Sequence, residues 1–386
     1  MAQEHKGTAL AMAALWAAAA SFALGQTATA PTGLDSPAAQ TAQPCIAVAP
    51  QGQVGCAWVS RDAGRQSIVF RERLGQSWTQ PVVFGGEAAW RPSSPLLLYD
   101  EASNPRLIWR DGPQGQGFVA YAYRHSGLWV RYGPISEAGA SDVADPAAAL
   151  DSEGRLHVAW REGAGSFWRI VAATFETDGA LRRSDLTAGW PERLNLYPTV
   201  VGQPRATVLW FKEGESALGL DARQYDPAGG QWAPAAPGDL SDLPANRLPY
   251  LFGARSDLIF AVWFDALDGR DRIFFGLSGP LARGAGMAAD DNAQGPNSQP
   301  SGALTPRGYP VVCWRGETQR GPAIFVRKRA EEDWLPSAVL SVPEPPYPAR
   351  PRIAASDEAV HVVWSSESGD GGTGNVYYSA VRWSEP

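Results

Sequence analysis

The side chains of this sequence best suited to chemistry are carboxylates and arginines in or beside aromatic-ended apolar runs: Asp145, Glu162 and Asp265, with Arg110, Arg161 and Arg315. Two carboxylates flanking a glycosidic bond can split it. One protonates the leaving oxygen, the other acts on the anomeric carbon or on a water, and arginines grip an acidic substituent. Three further tryptophans, Trp90, Trp168 and Trp190, sit near Arg91, Arg110, Arg161 and Glu162 in the chain. Indole faces stack on the C–H face of a pyranose while guanidinium and carboxylate groups take its hydroxyls or acid groups. The same residues also fit plainer roles, as solvated loop tips and as aromatic plugs beneath long loops.

Other chemistries find little support. The three cysteines and four histidines show no zinc spacing, so neither a metal nor a cofactor is expected. The stretch SGDGGTGN, Ser368 to Asn375, lacks the lysine of a phosphate loop and the acidic spacing of a calcium loop, and reads as a turn. With 33 basic and 40 acidic residues the net charge is -7, and no basic tract favours nucleic acid. His157 and His361 lie inside LHVAW and VHVVW, where the equivalent runs place Gly55, Arg106, Thr207, Phe260 and Val311. Core histidines with satisfied ring nitrogens are expected there.

The elements that hold these residues repeat. VGCAW, PRLIW, LHVAW, ATVLW, IFAVW, PVVCW and VHVVW end at Trp58, Trp109, Trp160, Trp210, Trp263, Trp314 and Trp364, spaced 50 to 53 residues apart. A proline (Pro44, Pro95, Pro146, Pro198, Pro249, Pro300, Pro351) precedes each by 12 to 14 residues, and Trp78, Trp129, Trp232, Trp334 and Trp383 follow in five units as markers of fourth strands. Each unit offers four short strands between Gly, Asp, Ser and Pro turns, with no helical periodicity. Such a sheet cannot bury both faces alone and must stack on its neighbours. The expected fold is all-β, a seven-bladed β-propeller of four-stranded antiparallel blades over residues 44–386, beginning near 44, 95, 146, 198, 249, 300 and 351. A second strand covered on both faces can be continuously apolar, and its tryptophan becomes a wedge between blades.

In that ring, the connection into each blade and the loop after its second strand emerge on one face. This face gathers Trp90, Trp168 (in the loop after Trp160) and Trp190, with a charged rim that also takes in Asp111, Lys212, Glu213 and Glu317. The last unit stops three residues after Trp383, so its fourth strand is short or residues 31 to 43 cover that edge. Residues 1–25 resemble a secretory signal cleaved after Gly25, with an uncleaved membrane anchor as the alternative, and 26–43 form a flexible lead-in or a closing strand. A secreted or periplasmic protein can hold disulfides. Matching Gly52 to Gly154 puts the first turn at residues 50 and 51 and faces Cys45 toward Cys56, while Cys313 reads as a small buried hydrophobe.

Strand pairs such as ALDSEGRLHVAWRE, followed by a tyrosine-containing strand and a turn ending in tryptophan, resemble the sialidase-like propellers with BNR-type repeats, from Pro44 to Trp383. The family's S-x-D-x-G-x-x-W turn box survives only in part, as RLGQSW, RHSGLW, ETDGAL, DPAGGQW and AEEDW. The resemblance implies a propeller and, in catalytic members, an arginine triad, a Tyr/Glu nucleophile pair, an aspartic acid/base and an early R-I-P. Here PCIAVA stands at that first strand, and seven units replace the family's six blades. The expected role is an exported, non-catalytic recognition module for a glycan or an envelope protein, bound through Trp90, Arg91, Arg110, Arg161, Glu162, Trp168 and Trp190, with membrane contact only through an uncleaved N-terminal segment. The alternatives are a sialidase-type glycoside hydrolase with a divergent site built on Asp145, Glu162, Asp265, Arg110, Arg161 and Arg315, or a structural subunit of an envelope complex.

Overall fold

A computed structural model describes residues 26–35, 40–137, 142–164, 167–188, 195–203, 205–213, 218–235, 250–255, 258–277, 287–291, 295–330, 333–341, 347–367 and 373–383. The leader, Trp190 and Ser368 to Gly372 of the glycine-rich turn lie outside the described residues. Among the described residues, all helix and strand structure is strand, in seven antiparallel sheets. The protein is a seven-bladed propeller. The first strands of blades 1 to 7 start at Gln40, Ser93, Asp142, Asn195, Tyr250, Ser298 and Tyr347.

Seven apolar clusters hold the ring, each drawn from two successive blades. Leu107 and Trp109 of blade 2 pack on Ala57, Val59 and Phe70 of blade 1, whereas Ile108 between them packs on Val143 and Val158 of blade 3. Alternate side chains of one second strand therefore fill different interfaces, which explains why these runs are apolar at every position. The circle closes where Trp58, Val54 and Val69 of blade 1 meet Val363, Val376 and Tyr378 of blade 7. All seven repeat tryptophans face the preceding blade, and none is more than 5% exposed. Indole N–H groups find acceptors where the sequence supplies them: Trp58 donates to Asp35 (2.7 Å), Trp160 to Glu162 (3.0 Å) and Trp210 to Asn195 (3.0 Å).

Blade 7 takes its outer strand from the other end of the chain. Gln26–Ala28 pairs with Thr373–Trp383, and Thr32–Gly33 pairs further along the same strand. Trp383 therefore ends a third strand opposite Gln26, where a fourth-strand position was expected. Leu34 is buried behind this edge. The closing segment is residues 26 to 33, an earlier stretch than the expected 31 to 43.

In each of the six first strands whose repeat proline is among the described residues, the ladder carries a β-bulge at that proline. Gln43, Ser94, Asp145, Tyr197, Gln299 and Arg350 there adopt φ between 48° and 53°. Proline lacks the N–H that a regular ladder would use, so the ladder breaks at that residue. The residue before it turns left-handed, and in two blades its N–H reaches out of the ladder to the preceding blade. Thus Ser94 N–H donates to Gln43 Oε1 (2.8 Å), and Arg350 N–H to Gln299 Oε1 (2.6 Å), each across a blade boundary.

The histidines are core residues, as the repeat implies. His157, fully buried, bridges the Thr174 hydroxyl (3.0 Å) and Asp151 (3.0 Å). Burial alone would raise the Asp151 carboxyl, but hydrogen bonds from His157, from Arg155 and from the Glu153 N–H outweigh it and hold it down to about 2.

The disulfide expectation fails. The hairpin after the first strand has a three-residue loop, with Ala49 N–H bonded to the Gln53 carbonyl and Gly52 at φ 87°, so Cys45 stands opposite Ala57 and Ile46 opposite Cys56. A two-residue turn at 50 and 51 would have shifted the register by one, and such a slip reverses which face a side chain takes. Cys45 accordingly packs toward blade 2 and Cys56 toward blade 7, and all three cysteines are free. Burial pushes the Cys45 thiol up to about 12 and the Cys56 thiol well above its usual range. A thiol reagent should titrate three thiols after denaturation without reductant, and dithiothreitol should leave the melting temperature unchanged; a count of one would restore the bridge.

Candidate functional site

The face bearing the blade-to-blade connections holds an open cleft of about 900 Å³ across blades 1 to 3. Its first wall is the hairpin after the second strand of blade 1, where Ala63 (φ 48°) and Gly64 (φ 77°) form a tight two-residue turn that presents Arg61 and Arg65. Arg61 is aimed by Gln66: its Nε donates to Gln66 Oε1 (2.9 Å), and the buried Gln66 amide donates in turn to the Pro92 carbonyl of the next connection. That connection supplies Arg91, Ser93 and Ser94.

The second wall is fastened by Arg110. Its guanidinium donates to the carbonyls of Arg91 (3.1 Å), Pro113 (3.0 Å) and Val143 (3.2 Å) and to Asp142 Oδ1 (2.7 Å). Asp142 Oδ1 also accepts the N–H groups of Gly117 (3.1 Å) and Val143 (2.9 Å). A Cβ at position 117 would lie 2.6 Å from the Arg110 guanidinium carbon, so a side chain there would have to displace that guanidinium. At the floor, Asp145 is paired with Arg161 at 2.6 Å. Asp142 and Asp145 are therefore neutralised by arginines within the protein. Arg61, Arg65 and Arg91 then face the cleft against Asp62, a positive field on a chain of net charge -7.

The structure gathers some of the expected site residues and separates others. Arg91, Arg110 and Asp145 line the cleft, and Arg161 reaches it through Asp145. Trp168 is placed on the third strand of blade 3, opposite Gly163, and not in the preceding loop; the Arg161 guanidinium covers one of its faces at 4.7 Å. Trp90 is half-buried, edge-on to Phe118 at 5.5 Å. Glu162 is buried, accepting from Trp160 and from Arg169 (2.6 Å), which fixes it as an internal acceptor. Asp111, expected on the rim, is fully buried, and burial raises its carboxyl above the ordinary range. Asp265 and Arg315 sit on blades 5 and 6, away from the cleft, and Arg315 Nε ties the Pro348 carbonyl of blade 7 (3.1 Å) as Arg110 ties blade 3.

No protein-family model matches the chain, and no curated protein does. Solved structures do. A PL25 polysaccharide lyase, an ulvan lyase solved bound to -[GlcA(1-4)Rha3S]-, superposes with a TM-score of 0.55 at 10% identity, over 89% of this chain and 95% of that one. A protein of unknown function from Dyadobacter fermentans gives a TM-score of 0.52 at 11% identity, over 93% of this chain and all 100% of that one. Hadza microbial sialidase Hz136 resembles it more loosely, at 0.49 and 12% identity, over 86% of this chain and 77% of that one. At 10 and 11% identity, the likeness to the first two is one of fold alone.

Sequence reasoning missed Arg61, Arg65 and Gln66. Arg61 stands three residues past a repeat tryptophan, so the repeat places it on this face. What the repeat could not show is that the arginine directly after the tryptophan, Arg110 or Arg315, is spent on binding the next blade.

Proposed function

We propose that the protein is an exported propeller that recognises an acidic glycan, carrying carboxylate or sulfate groups, in the cleft of blades 1 to 3. The charge balance of that cleft carries this reading: its Asp142 and Asp145 are paired with Arg110 and Arg161, while Arg61, Arg65 and Arg91 are exposed along it, Arg91 with one guanidinium nitrogen on the Ala88 and Trp90 carbonyls. Guanidinium groups recognise carboxylate and sulfate oxygens through paired, charge-assisted hydrogen bonds. A propeller of the same fold binds a uronate- and sulfate-bearing fragment, which supports the ligand class. The role is recognition without cleavage, because the cleft aspartates serve as ion-pair acceptors for the strand arginines Arg110 and Arg161. Export fits a leader removed before Gln26, which would leave the closing strand whole.

Affinity electrophoresis in gels containing uronate-rich or sulfated polysaccharide tests this. Retardation is expected to fall about tenfold or more in the Arg61→Ala/Arg65→Ala double variant, with the melting temperature unchanged, and to weaken with added salt. Migration of the wild type unaffected by any acidic polysaccharide would sink the reading. New reducing or unsaturated ends appearing in the polysaccharide would replace recognition with catalysis.

A further inference from the structure

At two of the bulges before a repeat proline the protein itself shows what takes the backbone N–H that leaves the ladder. In two of the described blade pairs the outward-swung N–H of the bulge residue is taken by a glutamine 51 positions earlier: Gln43 Oε1 accepts from Ser94, and Gln299 Oε1 accepts from Arg350. Between blades 2 and 3 the same offset joins Ser94 to Asp145. Asp145 has the same left-handed backbone, φ 48°, and the same proline after it. Ser94 ends at its Oγ, and among the described residues no side chain accepts the Asp145 N–H. Both Ser94 and Asp145 line the cleft.

We infer that the Asp145 N–H is an anchoring subsite of the cleft, and that a carboxylate or sulfate oxygen of the ligand occupies the place held by a glutamine Oε1 in the other two pairs. The inference rests on the proposed glycan reading and deepens it. An outward backbone N–H with no side-chain acceptor is a fixed donor, and it costs no side-chain ordering to use. The neighbouring carboxylate does not oppose an anion there with its full charge, because Arg161 holds Asp145 Oδ2 at 2.6 Å. Arg91 and Arg110 line the same cleft. The subsite places one oxygen on the floor while Arg61 and Arg65 meet the rest of the glycan at the wall.

Ser94→Gln should reproduce the Gln43 arrangement and close the subsite from within. Glutamine is compatible with the backbone required, since Gln43 (φ 51°) and Gln299 (φ 53°) adopt the conformation of Ser94 (φ 51°). The expected result is an unchanged or higher melting temperature with about tenfold weaker binding of a glucuronate-containing oligosaccharide. Ser94→Ala, which leaves the N–H open, should bind within about twofold of wild type. In parallel, the Asp145 amide resonance is followed by NMR during titration with the oligosaccharide and with sodium sulfate. It should move in wild type and Ser94→Ala and stay fixed in Ser94→Gln.

Equal binding by wild type and Ser94→Gln, with Arg61→Ala/Arg65→Ala weakened, overturns the subsite and keeps the glycan reading. If wild type binds no acidic glycan, the functional reading falls and the sulfate titration decides the subsite alone. An Asp145 amide that moves supports it; one that stays still in every titration removes it.

Discussion

Replacing Trp160 by alanine is expected to lower the unfolding free energy by about 3 to 5 kcal/mol, the range for emptying a buried large aromatic. Trp160 has no exposed surface and packs with Ile108, Val119 and Tyr121 of blade 2. Its loss also removes the indole donor from Glu162 Oε2, although Arg169 still holds Oε1 at 2.6 Å, so the buried carboxylate is not stranded. The denaturation midpoint, followed by far-ultraviolet circular dichroism, should drop accordingly. Trp90→Ala is the internal control. Trp90 is only half-buried and meets Phe118 edge-on, so less than half the loss is expected. Equal losses for the two would mean that the repeat tryptophans are not the wedges of this ring.

The architecture was legible because this wedge leaves a mark in the chain at every turn of the ring. An indole buried against the preceding blade cannot drift in position without opening a cavity, so the spacing from Trp58 to Trp364 stays near one blade length. Register within a hairpin has no comparable marker. Gly52 signalled a turn, but a three-residue loop and a two-residue turn differ only in backbone dihedrals, and that difference sent Cys45 and Cys56 to opposite faces of blade 1. The outer strand of blade 7 was legible only as one of two alternatives for residues 26–43, without its position. Gln26–Ala28 is too short and too polar to announce a strand, and it becomes one because Thr373–Trp383 offers an unpaired edge.

The candidate site was legible only as a face. Position after the tryptophan told which end of the blade a residue occupies, and Arg91, Arg110 and Asp145 do meet there. It could not tell a ligand-facing arginine from a strap, because both carry the same charge at the same rim. Arg110 spends its guanidinium on three carbonyls and Asp142, while Arg65, at the start of the third strand of blade 1, is exposed. The bulges held the remaining information. Six residues of five types, from Gln43 to Arg350, share a left-handed backbone, and what they have in common is the proline that follows at the same point of the blade. The repeat proline was visible; the direction in which it turned the preceding N–H was not.

The second core histidine gives the protein a pH-dependent seam between blades 7 and 1. Arg73 Nη1 donates to the Tyr378 hydroxyl oxygen (3.1 Å), which leaves the Tyr378 proton for His361 Nδ1 (2.8 Å), and His361 Nε2–H meets Ser356 Oγ (3.2 Å). That chain requires a neutral ring. Burial lowers the His361 pKa to about 4, and the charges of Arg73 and Arg382 act in the same direction. The unfolded chain takes up this proton near the ordinary value of 6.5, so between pH 6.5 and 4 it binds more protons than the folded protein, and stability falls as pH falls through that window. At 1.36 kcal/mol per unit the loss from this group is about 3 kcal/mol by pH 4, and it is absent above pH 6.5. Glutamine can accept from Tyr378 and donate to Ser356 without titrating. His361→Gln should therefore show a flatter profile of denaturation midpoint against pH across the same window, even if its midpoint at pH 7 is lower. Asp151, held near 2, contributes its own loss only at more acid pH, so the two steps are separable. A variant that tracks the wild-type slope from pH 6.5 to 4 would place the acid-sensitive group elsewhere in the ring.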